Sequence, residues 1–322
     1  MQRSNSVTII EPAAGWKLFN LKELWQHREL LLQLGLRDIS ISYRQTLLGA
    51  LWAIIPPVAL MLVFTVIFGK VAKFPTPVPY PLFVFAGLVP WQFFAKSVGN
   101  ASNSVLSAQQ MIDKVYFPRL ILPFSRLGGP LIDFALAIVI LIGMMFYYGV
   151  VPGWRIILLP ILSLLVIAAA VGIGSFLSAL SVSFRDVRFI VPFVLQIAMF
   201  ATPTFYMDTS DAKPPKHAVE KAASGPEAAS LGKVATAEAR EQKLSKPAAA
   251  VIPRGEGEVP DSIQNLLRFN PMAGLIGAFR SSLLNLPIAW DELGVAAVMI
   301  LTCLVFGCLY FHRMEDGFAD II

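Results

Sequence analysis

Residues 105–127 read VLSAQQMIDKVYFPRLILPFSRL and separate two long apolar runs. Among the large apolar side chains of this stretch stand four charged ones, Asp113, Lys114, Arg119 and Arg126. Pro118 and Pro123 bend the chain, because proline removes a backbone donor and restricts the residue before it. A hairpin that only returned to a helical bundle would need a few turn residues. The length and mixed character of this connector therefore indicate a surface that a partner contacts.

The apolar content of the whole chain predicts a membrane protein. Of its residues 56% are hydrophobic and 15% charged, with a mean hydropathy of +0.66, far from the average of soluble domains. A helix needs about 20 apolar residues to cross roughly 30 Å of hydrocarbon. Six runs qualify: Leu47–Phe68, Pro81–Ala101, Leu127–Tyr148, Ile156–Ser183, Phe189–Tyr206 and Leu293–Phe311. They are apolar on all faces instead of alternating like barrel strands, so we predict an all-α polytopic protein with six transmembrane helices.

The distribution of Lys and Arg predicts the orientation of these spans. With the N-terminus inside, cytoplasmic segments hold twelve basic residues: Arg3, Lys17, Lys22, Arg28, Arg37, Arg44, Lys114, Arg119, Arg126, Arg185, Arg188 and Arg313. The two short outer loops hold three, Lys70, Lys73 and Arg155. Short cytoplasmic loops are enriched in basic residues, whereas long translocated loops such as 207–292 escape this rule. We therefore expect both termini in the cytoplasm, and the net charge of +5 indicates topology and not nucleic-acid binding.

The N-terminal region divides into a tail and an amphipathic helix. Residues 1–20 are polar and lack the apolar core of a signal peptide. Residues 21–46 carry an apolar stripe, with Asn20 as a cap and Glu23 at the capping-box position. Such a helix can lie in the membrane interface with Trp25 at headgroup depth. A plain surface anchor and a partner-contacting role are both open for it.

The first two spans contain features that interrupt an ordinary apolar helix. Pro56 and Pro57 predict a kink or an unwound point in the first span. A membrane tolerates such a break where protein or water satisfies the freed backbone groups. This favours a helix that faces a pathway or a partner helix, and ordinary helix packing stays open as the alternative. The second span becomes polar towards its end, where Lys96 and Asn100 are expected to face the bundle interior or a water-filled cavity.

Charged residues elsewhere in the spans are few. Asp133 is the only carboxylate in a span core, and we expect it to pair with Arg126. A proton-coupled transporter would carry a relay of such groups, so the sequence disfavours that class. The turn SFRDVRF at 183–189 holds Arg185, Asp186 and Arg188. These charges fix the turn at the water boundary, and a second contact with the partner of the 105–126 segment is the sharper interpretation.

Two unlike segments follow the fifth span. Residues 207–262 contain no aromatic side chain and too little apolar surface for a core of their own, so we predict an extended external insertion. Residues 263–290 are apolar again, and Asn270-Pro271 and Pro287 bound a helix too short to span. We interpret this segment as re-entrant gate helices at the outer mouth. Residues 291–322 form the last span and the cytoplasmic C-terminus.

Sequence motifs for bond chemistry are missing. The chain has no GxxxxGK[ST], HExxH, GxSxG or CxxC pattern. The two cysteines, Cys303 and Cys308, lie inside the last apolar run without a His partner, which favours buried apolar roles. We therefore expect neither catalysis nor a metal site in this chain.

Several stretches together resemble one family. They are the amphipathic lead helix followed by RQTLLGALWAIIPP at 44–57, MIDKVYFPRLILP at 111–123, SFRDVRF at 183–189 and LLRFNPMAGLIGAFR at 266–280. With six spans, the chain from Leu21 onward resembles the membrane subunit of polysaccharide ABC exporters, type-2 ABC permeases that export O-antigen, capsule or teichoic-acid polymers. The 208–261 segment departs from the short connection usual in that family.

The resemblance implies partners and a location. It implies a homodimer in the bacterial cytoplasmic membrane, surrounded by lipid and bound to two copies of a separate ATPase subunit. That subunit would bind ATP and Mg, so no cofactor is expected in this chain. The substrate would be a lipid-linked glycan.

The resemblance also implies three groups of functional residues. The coupling segment that contacts the ATPase, within 105–126, and the second cytoplasmic turn comprise Asp113, Lys114, Val115, Tyr116, Phe117, Pro118, Arg119, Arg185, Asp186 and Arg188. The interface helix that gates the cytoplasmic side comprises Trp25, Arg28, Leu32 and Leu36. Spans one, two and five would line the channel, with the candidates Phe64, Phe68, Trp91, Asn100, Phe200, Phe205 and Tyr206. Aromatic residues at these depths are also typical of lipid-facing belts.

Two alternatives stay open at this point. The first is a type-2 ABC exporter of a drug or lipid, within the same superfamily; the family-like coupling and re-entrant segments favour the glycan exporter. A membrane-embedded glycan-processing enzyme would need external carboxylates or Arg near a lipid phosphate; Arg268 and Arg280 are available, but no acidic pair accompanies them. A neighbouring gene for a Walker-motif ATPase would separate the exporters from the enzyme.

Overall fold

The computed structural model of the protein describes residues 25–43, 49, 51–71, 76–112, 114–115, 117–202, 204, 270–315 and 317–318. The predicted tail 1–20 and the predicted insertion 207–262 lie outside the described residues. The α-helices, numbered in chain order, are α1 Arg28–Tyr43, α2 Leu51–Phe64, α3 Tyr80–Ser102, α4 Ser104–Ser107, α5 Gln109–Ile112, α6 Ile121–Ser125, α7 Gly128–Tyr147, α8 Leu159–Ser183, α9 Val187–Ala201, α10 Pro271–Leu284 and α11 Trp290–Glu315. The described part of the chain contains no strand, which confirms the all-α polytopic class.

Five helical stretches in the described part of the chain are long and apolar enough to cross a membrane. They are Leu51–Val71, Tyr80–Ser102, Ile121–Tyr147, Trp154–Ser183 and Trp290–Glu315. The fifth predicted span is the exception, because α9 has 15 residues and is about 22 Å long, short of a roughly 30 Å hydrocarbon core. The predicted span continued to Tyr206, and residues 203 and 205–206 lie outside the described part. The structure therefore supplies five spanning helices and one shorter apolar helix where the sequence predicted six spans.

Helix α3 lies at the centre of the bundle. In its most apolar window 78% of the residues are buried, against 22–33% in the other four spans. Helices α2, α7, α8, α9 and α10 all pack on it. Because lipid is as apolar as these side chains, close packing holds such helices together. Helices α8 and α11 approach closely, because a Cβ on Gly307 would lie 2.0 Å from the carbonyl oxygen of Gly172.

The connections sort to two ends of the bundle. At the first, which we call the basal end, residues 103–120 meet the last turns of α8 and α11. Ser104 Oγ lies 2.9 Å from Ser178 Oγ, and the amide of Arg119 donates to Glu315 Oε1 at 2.7 Å. At the opposite, distal end, Arg155 donates to the carbonyl oxygen of Leu286 at 2.5 Å. Successive connections along the chain alternate between the two ends, as expected for antiparallel spans.

The prolines of the first span do not interrupt it. Helix α2 continues through Pro56 and Pro57, so the predicted unwound point is absent there. The φ angle of proline fits a helix, although each ring removes one backbone hydrogen bond and crowds the carbonyl group four residues earlier. The departure from α geometry comes later, as a π-helix at Thr65–Val71.

A short buried helix precedes the last span. Helix α10 has 14 residues, too few to span, and it packs on α3, α8 and α11. Asn270 caps it by accepting from the amide of Met272 at 3.0 Å and by donating to Thr202 Oγ1 at 2.8 Å. Asn285 ends it in the left-handed conformation, with φ of 57°. The re-entrant gate role of this segment stays a prediction.

Candidate functional site

A cavity of about 440 Å³ opens between four helices, α2, α3, α7 and α9. Its wall is formed by Trp52, Ala53, Pro56, Pro57, Val89, Trp91, Gln92, Phe93, Ala95, Lys96, Gly99, Pro130, Asp133, Phe134, Ala137, Pro192, Leu195, Gln196 and Met199. Both prolines of α2 belong to this wall, as do Trp52 and Ala53, the residues four positions before them. The wall combines two indole rings, two amides and two opposite charges with an otherwise apolar lining.

The cavity brings together some of the predicted channel residues and not others. Trp91 lines it, and the three spans expected at the channel all contribute, together with α7. Phe64 is buried instead, with its ring centroid 5.9 Å from that of Phe68. Asn100 and Phe200 are exposed on α3 and α9, outside the wall. Phe205 and Tyr206 lie outside the described residues.

The charges of the cavity form a bridge between three helices. Lys96 Nζ of α3 donates to Asp133 Oδ2 of α7, and the hydroxyl of Tyr43 at the end of α1 donates to the other carboxylate oxygen. The side chain of Lys96 is 51% exposed and that of Asp133 only 13%. The carboxylate is thus enclosed and bonded at both oxygens, while the ammonium faces the open space.

The expected pairing of Asp133 with Arg126 is wrong. Arg126 instead forms a salt bridge with Asp38 of α1 at 3.2 Å and donates to Ser107. Arg126 lies in the short connection between α6 and α7, and its bonds to Asp38 and Ser107 hold its side chain at the basal end. A sequence signal for the true pair existed, since opposite charges within different spans usually meet.

Helix α1 lies across the basal end and presents apolar side chains outward. A Cβ on Gly128 would lie 3.2 Å from the Cα of Gly35, so α1 crosses the start of α7 at backbone distance. Three predicted interface residues, Trp25, Leu32 and Leu36, are 69%, 62% and 63% exposed. The fourth, Arg28, stacks on the indole of Trp25 at 5.3 Å. Large apolar side chains on the outer face are typical of a helix that lies in a membrane interface.

The predicted coupling segment divides into buried and accessible residues. Phe117 is 4% exposed and packs with Phe311 and Phe318. Arg119 donates to Glu315 through its amide and its guanidinium, and Pro118 is half-buried. Lys114 and Val115 are exposed, so they form the accessible tip of the segment. Asp113 and Tyr116 lie outside the described residues.

The charged residues of the second turn at the basal end are accessible. Arg185, Asp186 and Arg188 are all exposed. Arg188 stacks at 4.6 Å on the ring of Phe189. With Lys114, these residues give the basal end exposed charged groups, and Val115 adds an exposed apolar side chain.

The described residues offer no cluster of three or more His, Cys, Asp or Glu side chains that could hold a metal ion. Cys308 is buried and Cys303 half-buried in α11.

Comparison with known proteins identifies the family. The family model described as ABC-2 type transporter matches residues 29–210, more than half of the chain. The O-antigen export system permease protein RfbA of Myxococcus xanthus is 34% identical over 186 residues, which cover 58% of this chain and 71% of that protein. The protein of the same name from Klebsiella pneumoniae is 24% identical over 298 residues, 91% of this chain and 95% of the relative.

A shorter match links the chain to a second transport protein. The polysialic acid transport protein KpsM of Escherichia coli is 36% identical over 78 residues, 24% of this chain and 30% of that protein. The multi-pass helical fold agrees with all of these matches, and the family model alone covers the segment from α1 to the end of α9. The chain therefore belongs to the ABC-2 type transporter family.

Proposed function

We propose that this chain is the transmembrane subunit of an ATP-driven exporter that moves a polysaccharide across the bacterial cytoplasmic membrane. One observation carries the proposal: similarity to an O-antigen export permease extends over 91% of this chain and 95% of the relative. Because the match covers nearly the full length of both proteins, it is more informative than a match to one motif. A lipid-linked glycan such as O-antigen, capsule or teichoic acid is the substrate class.

The family and the missing phosphate loop support a separate ATPase partner. Hydrolysis requires ATP and Mg held by a phosphate-binding loop, and this chain has no such sequence. We propose that a separate subunit binds both and that this chain needs no cofactor of its own. The accessible residues Lys114, Val115, Arg185, Asp186 and Arg188 support a docking surface at the basal end, which we assign to the cytoplasm together with both termini.

The size of the cavity supports assembly with a second copy. A volume of about 440 Å³ suits a small ligand rather than a passage for a polymer. A homodimer with two ATPase subunits would close a wider channel between two such walls. Membrane lipid surrounds the remaining apolar faces.

The experiment that tests this function is deletion of the gene in its own host. We expect surface polysaccharide to disappear and lipid-linked polymer to accumulate inside the cell, with both effects reversed by the wild-type gene. Co-purification of the solubilised chain should recover an ATPase in a one-to-one ratio. Unchanged surface polysaccharide in the deletion strain, or glycan-modifying activity of the purified chain alone, would contradict the proposal.

A further inference from the structure

The charges on the cavity wall are arranged asymmetrically. A charge among membrane helices is costly, and it persists where it is paired or where it serves a substrate. Lys96 neutralises Asp133, which would suffice for a purely structural pair. The two side chains nevertheless differ about fourfold in exposure, 51% for Lys96 against 13% for Asp133. The lysine is the partner that a ligand in the cavity can reach.

Asp133 has a second source of stabilisation. The hydroxyl of Tyr43 donates to one carboxylate oxygen while Lys96 donates to the other. A carboxylate that accepts from a tyrosine retains a partner when the ammonium turns away. An ammonium has three N–H donors, and a single oxygen of Asp133 accepts from one of them in the described structure. Lys96 can therefore bind an additional acceptor without leaving Asp133 unbonded.

The space beside Lys96 is open and suited to a polar ligand. Gln92 lies one helical turn before Lys96 on the same face of α3, and Gly99 lies one turn after it. A Cβ on Gly99 would meet no atom within 4 Å, so nothing fills the cavity at that level. Across it stand Trp52 of α2 and Gln196 of α9. Amides bind hydroxyl groups, and indole rings offer flat faces to sugar rings.

We propose that this cavity is a subsite for the anionic part of the substrate, with Lys96 as the residue that binds an oxyanion such as a phosphate. The inference rests on the proposed export function, which supplies the substrate class. Gln92 and Gln196 hold hydroxyl groups beside the oxyanion, and Asp133 holds Lys96 in place until the ligand arrives. The phosphate belongs to the lipid carrier or is free in solution, and the competition below separates these sources.

Binding to the full chain in nanodiscs of neutral phosphatidylcholine tests this site. The probes are a radiolabelled polyprenyl pyrophosphate and the uncharged polyprenol of the same chain length. We expect the wild-type chain to bind the pyrophosphate at least about tenfold more tightly than the alcohol, the value of a charge-assisted hydrogen bond. Equal affinity of the wild-type chain for the two probes would overturn the proposal.

Four variants assign the preference to the pair. Lys96→Gln should abolish the preference, and Lys96→Arg should keep it because the charge remains. Asp133→Asn should increase the preference, because the competing carboxylate is removed. The matched control Lys70→Gln removes an exposed lysine of the π-helix and should change nothing. A correctly folded Lys96→Gln variant that keeps the full preference would overturn the assignment, as would a loss of the preference in Asp133→Asn.

Competition with inorganic pyrophosphate identifies the source of the anion. Displacement of the lipid probe supports a site that binds the oxyanion alone, and failure to displace it supports a site that needs the attached lipid. The binding assay contains no ATPase and no export step. If gene deletion leaves surface polysaccharide unchanged while the preference persists, the export function fails and the site stands. If deletion abolishes export while Lys96→Gln binds like wild type, the site fails and the function stands.

Discussion

Phe117 and Val115 are two residues apart in the predicted coupling segment, and the structure gives them opposite environments. Phe117 is 4% exposed within an aromatic cluster with Phe311 and Phe318, whereas Val115 is 57% exposed. The residue types alone did not indicate this difference in exposure, because both residues are apolar. Phe117 therefore anchors the segment to the last span, while Val115 is available to a partner.

The Phe117→Ala substitution should lower the stability of the chain itself, whatever its effect on coupling to the ATPase. Truncating a buried phenylalanine costs about 3 kcal/mol in the free energy of unfolding. We expect a lower midpoint of thermal denaturation for the solubilised chain. Val115→Ala is the matched control and should leave the midpoint unchanged within error, because its side chain packs little. A Phe117→Ala midpoint equal to that of wild type would show that the cluster adds no stability.

Lys114 is the residue of the segment for which we predict a contact with the ATPase. Its side chain is exposed. Lys114→Ala should weaken ATPase binding by about tenfold, as expected when a charged interface contact is truncated. The thermal midpoint of the isolated chain should not change. Co-purification yield and ATPase activity measure the effect, with Lys70→Ala at the distal end as the control. Undiminished recovery of the ATPase would remove Lys114 from the interface.

At the scale of helices, the contact between α8 and α11 is set by two glycines. A methyl group on Gly307 would lie 2.0 Å from the carbonyl oxygen of Gly172, so Gly307→Ala forces the helices apart. Small residues at such crossings allow backbones to pack closely in a membrane. We expect a loss of about 1–3 kcal/mol, the usual cost of overpacking, measured as a lower midpoint of thermal denaturation.

Gly143 in α7 provides the control for this substitution. A Cβ there would meet no atom within 4 Å, so Gly143→Ala should be neutral or raise stability by up to about 1 kcal/mol through helix propensity. A Gly307→Ala chain as stable as Gly143→Ala would mean that α8 and α11 do not approach as closely as described.

The positions of the helices along the chain could be predicted from the sequence. Which side chains of each helix face the cavity, the protein interior or lipid could not. Apolar runs placed the fourth span at Ile156–Ser183, and the helical stretch Trp154–Ser183 ends at the same residue. A run that is apolar on all faces carries no period that separates lipid from cavity. For that reason Phe64 was a channel candidate although it is buried, and Trp52 on the cavity wall was missed. The Lys96–Asp133 bridge depends on the register of two helices, which composition does not determine.

At the scale of the whole molecule, the described residues form two ends that differ in charge and in the elements they carry. The 103–120 connection, the turn at 184–186 and the end of α11 share the basal end, as the bond between Arg119 and Glu315 requires. Arg155 and Leu286 meet at the other end. Short loops on the cytoplasmic side of a membrane are enriched in basic residues, and the basal end carries Lys114, Arg185 and Arg188. The fold itself fixes which loops lie together, whereas the orientation in the cell rests on this charge bias.

Cysteine labelling of intact cells tests that orientation. Val115→Cys and Phe184→Cys place thiols at exposed positions of the basal end, 57% and 63% exposed, and Val151→Cys places one at a distal position that is 77% exposed. A membrane-impermeant maleimide added to cells with a permeable outer barrier should label Val151→Cys at once. It should label the other two only after the cytoplasmic membrane is opened. The native Cys308 is buried and Cys303 half-buried within α11, so the unsubstituted chain supplies the background. Labelling of Val115→Cys in sealed cells would reverse the orientation and, because the ATPase works where ATP is present, would also remove the basal end as its docking surface.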